Sequence, residues 1–325
     1  MKYLITGITG FAGAHLAQLL FEKGHEVHGL VRSSNGMQSD ILDVVSPECF
    51  NAINFRYGNI QDYQSLQRIF RSVNFDGCFH LAAQSHPPTS FELPLDTFRV
   101  NIGGTANIID CIERFQMNCK LMFCSTSEVY GNGGKDGRKL TKADPMQPCN
   151  PYAVSKAAID LYMQERMMNG KLQGFITRAF SHTGPRRGMN FSISSDAYQI
   201  ARIIKGLQEP ILEVGNLETV RVVIDVRDVV NAYYLLMENP NTSGQIFNVC
   251  GDEPRKMEFF TDHLIKLSGK EIQKQVSHKF YRKIDIHYQH GDSSMLSMLT
   301  GWKPEIPIEK TLEDLLIYWE FKIRE

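Results

Sequence analysis

The chain has 325 residues, 35 basic and 36 acidic side chains, and a formal net charge of -1. This length allows one large domain or two modest ones with a substantial core. The balanced charge gives no reason to expect nucleic acid or a membrane surface as a partner. The apolar stretches are far shorter than a bilayer span, and the first residues do not form a signal peptide. We therefore expect no nucleic-acid partner and no membrane partner.

The first half of the chain alternates short apolar runs with helical stretches. The predicted strands are Tyr3–Thr6, Glu26–Val31, Ile53–Tyr57, Gly77–Leu81, Lys120–Ser125 and Gly174–Arg178. The predicted helices between them are Ala12–Lys23, Tyr63–Ser72, Leu95–Phe115 and Pro151–Met168. Strands that alternate with helices in this way form a parallel sheet covered on both faces. The pattern predicts an α/β fold with a doubly wound parallel sheet.

The chain changes character after Phe180, where connections become irregular. Short elements are predicted at 210–214, 218–224 and 245–249, and a last helix from Glu309 to about Phe321. We predict a larger domain at residues 1–180 that binds a nucleotide cofactor. A smaller domain, mainly 181–325, would bind the substrate and return some strands to the first sheet. Trp302 is predicted to be a packing anchor for the last helix.

The seven cysteines are odd in number, scattered and without a C-x-x-C pair. Such a pattern is typical of reduced thiols in a cytoplasmic enzyme. No spacing of cysteine and histidine suggests a metal site. The sequence therefore predicts a cytoplasmic enzyme without a metal.

A glycine-rich turn directly follows the first predicted strand and opens the first helix. Glycines at these positions permit a tight turn and close backbone approach, and the helix N-terminus favours an anion. The motif predicts a dinucleotide-binding site. Its residues are Gly7, Thr9, Gly10, Phe11, Ala12 and Gly13.

The end of the second strand distinguishes between the two nicotinamide cofactors. An acidic residue there usually holds the ribose of NAD, whereas an arginine suits the extra phosphate of NADP. Arg32 stands there with no acid beside it, so we predict NADP, with NAD less favoured. The alternative for Arg32 is a solvated surface side chain.

Two further segments after strands are predicted to contact the cofactor. Asn59 and Ile60 follow the third strand, where the amide would meet adenine or form an ordinary turn. The small residues after the fourth strand let the backbone approach the cofactor. That segment consists of Leu81, Ala82, Ala83 and Gln84.

A tyrosine and a lysine lie four residues apart on the helix predicted from Pro151. Tyr152 and Lys156 share one face of that helix, and the lysine cation can lower the phenol pKa from about 10. A phenolate can take a proton from a sugar hydroxyl while hydride leaves the same carbon. Glu128 adds a base that a plain dehydrogenase does not need, which suggests oxidation coupled to elimination. The alternatives are an exposed helix pair and a solvated glutamate.

Several motifs together resemble a known enzyme family. They are Leu81–His86, Ser125–Gly131, Tyr152 with Lys156, His182–Gly188, Gly215–Leu217 and Gly301–Pro304. These segments resemble the extended short-chain dehydrogenase/reductase family, whose sheet is of the Rossmann type. Within it, the nucleotide-sugar 4,6-dehydratases are most similar, and among them the GDP-mannose 4,6-dehydratases.

The resemblance implies roles for residues of this chain. Thr126, Glu128 and Tyr152 would be catalytic, with Lys156 supporting Tyr152. The cofactor would also contact Tyr152, Lys156, His182 and Arg187, and we expect Arg186 to bind phosphate or cofactor. The substrate-binding residues would be Ser85, Glu128, Ser181, Asn190, Asn216, Arg221 and Arg282. The two arginines among them would face the diphosphate.

The resemblance also implies a reaction and a partner. The expected reaction converts GDP-mannose, or a related GDP-manno-heptose, to the 4-keto-6-deoxy sugar by internal hydride transfer and loss of water. A reductase of a GDP-linked 4-keto-6-deoxy sugar, an epimerase and a catalytically silent cofactor sensor are the alternatives. We expect a homodimer or homotetramer. Ser181 stands where the family usually has asparagine, and Val222 where an acid is expected, so substrate contacts are expected to differ.

Overall fold

A computed structural model describes residues 1–32, 37–277, 280 and 285–323. Arg282, which we expect to face a diphosphate, lies outside the described residues, as do the two serines that follow Arg32. Among the described residues, no helix combines the length and the apolar character needed to cross a membrane. The cytoplasmic location stays a prediction.

Seven parallel strands form the main sheet. They are β1 (Lys2–Thr6), β2 (Glu26–Val31), β3 (Asn54–Tyr57), β4 (Gly77–His80), β5 (Lys120–Thr126), β6 (Gly174–Ala179) and β10 (Ile246–Val249). Their spatial order is β10-β6-β5-β4-β1-β2-β3, and every neighbouring pair is parallel. The order reverses between β1 and β4, and ligands of such sheets bind beyond the carboxyl ends of the strands at that point. The predicted doubly wound fold is confirmed.

Twelve α-helices are present in the described part of the chain. They are α1 (Phe11–Glu22), α2 (Pro47–Ala52), α3 (Tyr63–Ser72), α4 (Pro87–Glu92), α5 (Pro94–Phe98), α6 (Gly104–Phe115), α7 (Pro151–Met168), α8 (Ser192–Ile204), α9 (Val226–Glu238), α10 (Met257–Ser268), α11 (Ser294–Thr300) and α12 (Ile308–Lys322). The predicted helices are confirmed to within one or two residues, with one exception. A π-helical segment, Arg99–Gly103, separates α5 from α6 inside the long predicted helix. Asn101 in this segment donates hydrogen bonds to the Gln84 carbonyl and the Ser155 hydroxyl, both at 2.9 Å.

Smaller sheets follow the sixth strand. Their strands are β7 (Ser181–Thr183), β8 (Ile211–Val214), β9 (Val220–Asp225), β11 (Pro254–Lys256), β12 (Gln273–Val276) and β13 (Tyr288–Gln289). β9 pairs with β7, β11 and β13, while β8 pairs with β12. The helices α8, α10 and α12 pack together with β8 around a separate apolar core that includes Ile200, Leu212, Phe260 and Leu315. The later part of the chain also returns β10 to the main sheet. The domain boundary at residue 180 stays a prediction.

A buried ion pair fixes α7 against the main sheet. Arg178 on β6 donates to both carboxylate oxygens of Asp160 on α7, at 2.9 and 3.0 Å. The Tyr130 hydroxyl accepts a bond from Arg178 and donates to Asn248 on β10. Breaking such a pair strands a charge in the core, which costs about 3–5 kcal/mol. The network therefore holds the helix that carries Tyr152 and Lys156.

Candidate functional site

The turn between β1 and α1 is shaped by glycines that no other residue can replace without strain. Gly7 has φ +76°, and a Cβ there would lie 2.8 Å from the Ala82 nitrogen. A Cβ on Gly13 would lie 2.2 Å from the Gly7 carbonyl oxygen. Gly10 caps α1 without a side-chain hydrogen bond, so the first N–H groups of the helix, including that of Ala12, are offered at the turn. This cradle fits the pyrophosphate of a dinucleotide.

Arg186, about 176 residues later in the chain, holds this turn. Its guanidinium donates to the carbonyl oxygens of Gly10 at 2.7 Å, Thr9 at 2.8 Å and Asp40 at 3.0 Å. It is the one non-glycine residue in the described part of the chain with positive φ, at +72°. The expectation that Arg186 binds phosphate or cofactor stays a prediction, and three of its N–H groups donate to backbone carbonyls in this structure. These bonds position the turn.

The segments predicted to contact adenosine have different roles in the structure. Arg32 is exposed at the end of β2, where a phosphate can reach it. The Asn59 side chain accepts a bond from the Gln61 N–H at 3.0 Å, which is the turn role left open by the sequence. Ile60 is buried, and a Cβ on Gly104 would lie 2.7 Å from it. It therefore serves to pack α6.

The segment after β4 lies behind the glycine turn. Leu81 and Ala83 are half-buried, and the Ala82 N–H donates to the Thr6 hydroxyl at 3.2 Å. The Gln84 side-chain nitrogen donates to the His86 carbonyl and to the Thr97 hydroxyl. Its side chain thus stabilises the loop, while its small neighbours bring the backbone to the turn.

Tyr152 lies buried beside Thr126 at the end of β5. Thr126 hydrogen-bonds the phenol, and its side chain also accepts from the Glu128 N–H at 3.2 Å. Burial raises the pKa of Tyr152, and the nearby Cys124 and Glu128 add to this. The hydrogen bond from Thr126 and the charge of Arg187 lower that pKa, but by less. The phenol of this structure is therefore protonated at neutral pH.

Lys156 does not act on Tyr152 as the sequence suggests. Its ammonium donates to the Cys124 carbonyl at 2.7 Å and lies 4.9 Å from the centre of the Phe123 ring. Burial lowers the pKa of Lys156. The expected lowering of the Tyr152 pKa by this cation is wrong here, because burial outweighs every favourable charge around the phenol.

Asn150 connects the predicted second base to the helix of the tyrosine. Its side-chain oxygen accepts the Ala153 N–H at 2.8 Å, which caps α7. Its side-chain nitrogen donates to a Glu128 carboxylate oxygen at 2.7 Å. The sequence interpretation missed this residue, although an asparagine followed by Pro151 is a strong start signal for a helix. Glu128 is thereby tethered to the first turn of α7.

A cavity of about 620 Å³ opens next to these residues. Residues that line it include His86, Glu92, Asn150, Ser181, His182, Arg187, Asn190, Phe191, Asp196, Asn216, Arg221, Met257, Phe280 and Asp285. Of the residues predicted to bind substrate, the cavity thus brings together Ser181, Asn190, Asn216 and Arg221. Glu128 is hydrogen-bonded to Asn150, which lines the cavity, and Ser85 is exposed on the neighbouring loop.

His182 and Arg187 lie between the glycine turn and the cavity. The His182 ring is stacked on Phe11 with centroids 5.9 Å apart, and burial lowers its pKa to about 4, so it is neutral. The Arg187 guanidinium lies 3.4 Å from the centre of the Phe191 ring and 4.9 Å from that of Phe11. Burial lowers the Arg187 pKa to about 10, which leaves it charged at pH 7. The positive charge of Arg187 therefore lies next to both the glycine turn and the cavity.

Arg221 is partly neutralised in the cavity wall. Its guanidinium forms an ion pair with Asp285 at 3.6 Å, and the Asn216 amide donates to the same carboxylate at 3.2 Å. The two residues predicted to bind substrate are thus linked through one acid. A diphosphate that binds Arg221 competes with Asp285.

Known proteins resemble this chain over nearly its whole length. The model of a family described as GDP-mannose 4,6 dehydratase matches residues 4–315. The GDP-6-deoxy-D-mannose reductase of Pseudomonas aeruginosa is 29% identical, over 100% of this chain and 99% of the reductase. GDP-mannose 4,6 dehydratase 1 of Arabidopsis thaliana is also 29% identical, over 95% of this chain and 87% of that protein. The structure of the Pseudomonas aeruginosa RMD complexed with NADPH has a TM-score of 0.83 at 26% identity, and 99% of each chain is covered.

Proposed function

Because this chain belongs to the GDP-mannose 4,6-dehydratase family, we propose that it is an NADP-dependent 4,6-dehydratase of a GDP-linked hexose or heptose. Glu128 carries the proposal. Its carboxylate is held 2.7 Å from the Asn150 amide and acts electrostatically on Tyr152. A carboxylate beside the catalytic phenol supplies the second base that elimination of water requires.

The residues present fit a nicotinamide dinucleotide. The turn from Gly7 to Gly13 would hold the pyrophosphate, and Arg32 would hold the extra phosphate of NADP. His182 and Arg187 would lie at the nicotinamide end. Bound there, the cofactor would supply an acceptor for the hydride from C4 of the sugar and a donor of the same hydride to C6.

Tyr152 removes the proton of the 4-hydroxyl in the proposed reaction. Its raised pKa makes this step unfavourable by itself. Thr126, which hydrogen-bonds the phenol oxygen, and the positive charge of Arg187 both stabilise the phenolate. Thr126 therefore contributes to the first step by lowering the cost of forming the base.

Glu128 removes the proton at C5, which the new ketone at C4 has acidified. That proton and the 6-hydroxyl leave together as water, and a proton returned to C5 completes the 4-keto-6-deoxy sugar. The hydride taken from C4 ends on C6, so there is no net oxidation. The Asn150 amide holds the carboxylate for this step while α7 holds the phenol.

Mass spectrometry of GDP-mannose incubated with the protein and catalytic NADP+ tests the proposal. We expect a product lighter by one water, without accumulation of NADPH. Parallel incubations with NAD+ test the cofactor preference, and GDP-manno-heptose tests the alternative sugar. If neither sugar loses water with either cofactor, the dehydratase proposal is wrong.

A reductase is the second candidate, and a specific observation favours it. A protonated phenol is the form that gives a proton to a carbonyl oxygen, and burial raises the Tyr152 pKa. The Pseudomonas aeruginosa reductase also matches this chain end to end. Stoichiometric oxidation of NADPH by a GDP-linked 4-keto-6-deoxy sugar, unaffected by Glu128→Gln, would establish this activity instead.

A homodimer is proposed from an apolar stripe on α7. Val154, Leu161 and Met168 are seven residues apart and 40, 57 and 85% exposed. Residues at this spacing share one helix face, which a second copy can cover. Light scattering should give twice the chain mass, and Leu161→Glu should give the monomer. A wild-type monomer would contradict the dimer without affecting the proposed reaction.

A further inference from the structure

A buried acid lies in the wall of the cavity that Asn150 also lines. Asp196 on α8 is 4% exposed and lines the cavity. The Thr261 hydroxyl on α10 donates to its Oδ2 atom at 2.7 Å. Among the described residues, no lysine, arginine or histidine forms an ion pair with it. Burial without a cation is costly, so stability does not account for this acid.

The cavity residues offer different groups to the different parts of a nucleotide sugar. Asn150, with Glu128 attached, marks the end where the sugar reacts. Arg187 and Arg221 supply the cations for a diphosphate. Asp196 and Met257, carried by α8 and α10, line the same cavity and would meet the base of the nucleotide.

We propose that Asp196 recognises the guanine base through its N1–H and its exocyclic amino group. This inference rests on the proposed use of a GDP-linked substrate. Guanine presents two adjacent donors on one edge, and a carboxylate presents two adjacent acceptors. Uracil presents only one N–H, and hypoxanthine lacks the amino group. Asp196 therefore selects the base, while the cations bind any diphosphate.

The geometry of the carboxylate supports this role. The bond from Thr261 fixes the plane of the Asp196 carboxylate without using its second oxygen. Burial raises the pKa of Asp196 to about 7. Two N–H groups of a bound base would stabilise the ionised form, since hydrogen bonds to a charged acceptor are stronger than neutral ones. The acid is thus poised to accept donors from a ligand.

Calorimetric titration with GDP, IDP and XDP tests the assignment. Wild-type protein should bind GDP roughly 10-fold more tightly than IDP, which lacks the amino group. Asp196→Asn should lower the affinity for GDP by roughly 10- to 100-fold and abolish the difference between the affinities for GDP and IDP. It should also bind XDP better than wild type does, because the asparagine amide donates to the xanthine 2-carbonyl. Glu92→Gln, an exposed acid on the same cavity, is the matched control and should keep the wild-type order.

The outcomes separate this inference from the proposed reaction. If wild type prefers GDP and Asp196→Asn keeps the same ratio to IDP, the role of Asp196 is wrong and the dehydratase proposal stands. If the affinities for GDP, IDP and XDP follow the expected order but no sugar loses water, the proposed reaction is wrong and the base assignment stands. If wild type does not discriminate GDP from IDP, the inference is overturned. Should Asp196→Asn fail to fold, Thr261→Val is the substitute variant. It must lower the affinity for GDP, and that affinity must stay higher than the affinity for IDP.

Discussion

The glycine turn after β1 and the cavity wall of α8 and α10 would bind their proposed ligands by different means. At the turn, the backbone would contact the ligand, and side chains are absent where a Cβ would collide, as at Gly13. In the wall, side chains from distant segments meet, as Asp196 meets Thr261. The first arrangement suits a cofactor shared by many enzymes, since every dinucleotide has a pyrophosphate. The second can select one substrate, since specificity comes from individual side chains.

The largest expected effect is that of Glu128→Gln, which should change the rate of the reaction and leave ligand binding at both regions unchanged. Glu128→Gln should lower kcat for water loss about 10²- to 10⁴-fold, as expected for loss of an acid–base group. Affinities for NADP+ and GDP should stay unchanged, because neither region contains the carboxylate. Steady-state kinetics with titrations of both ligands measure this. A matching loss of cofactor affinity would show that the two regions are not independent.

A change at the turn should affect the cofactor alone. Gly13→Ala places a Cβ 2.2 Å from the Gly7 oxygen and must displace the turn. We expect NADP+ affinity to fall about 10- to 100-fold, from overpacking of about 1–3 kcal/mol. Gly103→Ala is the control, since a Cβ there meets nothing within 4 Å. Fluorescence titration measures both, and an equal loss of GDP affinity in Gly13→Ala would argue against separate sites.

Substitutions of Arg186 test whether its hydrogen bonds stabilise the glycine turn. Arg186→Met removes three hydrogen bonds to backbone carbonyls. We expect the KM for NADP+ to rise about 10-fold, with kcat nearly unchanged. Arg186→Gly is the companion variant, since it relieves the positive φ while removing the same bonds. If kcat falls and KM does not, Arg186 acts on the chemistry instead.

A smaller effect is expected at Asn150. Asn150→Ser keeps a good helix cap but loses the bond to Glu128. We expect kcat to fall about 3- to 10-fold with little change in the melting temperature. Asn150→Ala, which loses both contacts, should also destabilise α7. Equal kinetics for Asn150→Ser and wild type would mean that the tether does not position the carboxylate.

The smallest effect concerns stability and pH. The Asp196 pKa is raised from 3.8 to about 7, so the folded protein binds a proton in this range that the unfolded chain does not. Its contribution to stability is therefore present at low pH and is lost as pH rises through about 7. Asp196→Asn should raise the melting temperature at pH 8 more than at pH 5. A lower melting temperature at pH 8 would assign the acid a structural role.

Much of the turn was predictable from sequence because its determinants are local. Gly7, Gly10 and Gly13 lie within one turn and one helix start, and the strands and helices around them were predicted within one or two residues. The resemblance to the dehydratase family follows from motifs that are equally local. The role of Asn150 as a helix cap was also visible from its neighbours in the sequence. Its hydrogen bond to Glu128, on which its proposed functional role depends, was not.

The rest was not predictable, because it depends on contacts between remote segments. Nothing near Arg186 in the chain indicates that its guanidinium binds Thr9 and Gly10. The partner of Asp196 lies on a different helix, and a single aspartate in a helix pattern gives no signal of burial. The pKa of Tyr152 likewise depends on how completely the fold buries it, which no motif records.

The seventh strand of the main sheet has a consequence for synthesis of the chain. β10 pairs with β6 in parallel, although α8 and α9 separate them along the sequence. Until Val249 has left the ribosome, β6 remains an open edge whose unpaired backbone can join another chain. A fragment that ends near residue 180 would keep this edge permanently, with Phe175 and Ile176 beside it. Such a fragment should aggregate where the whole chain does not, so the first half of the chain is best produced together with the rest.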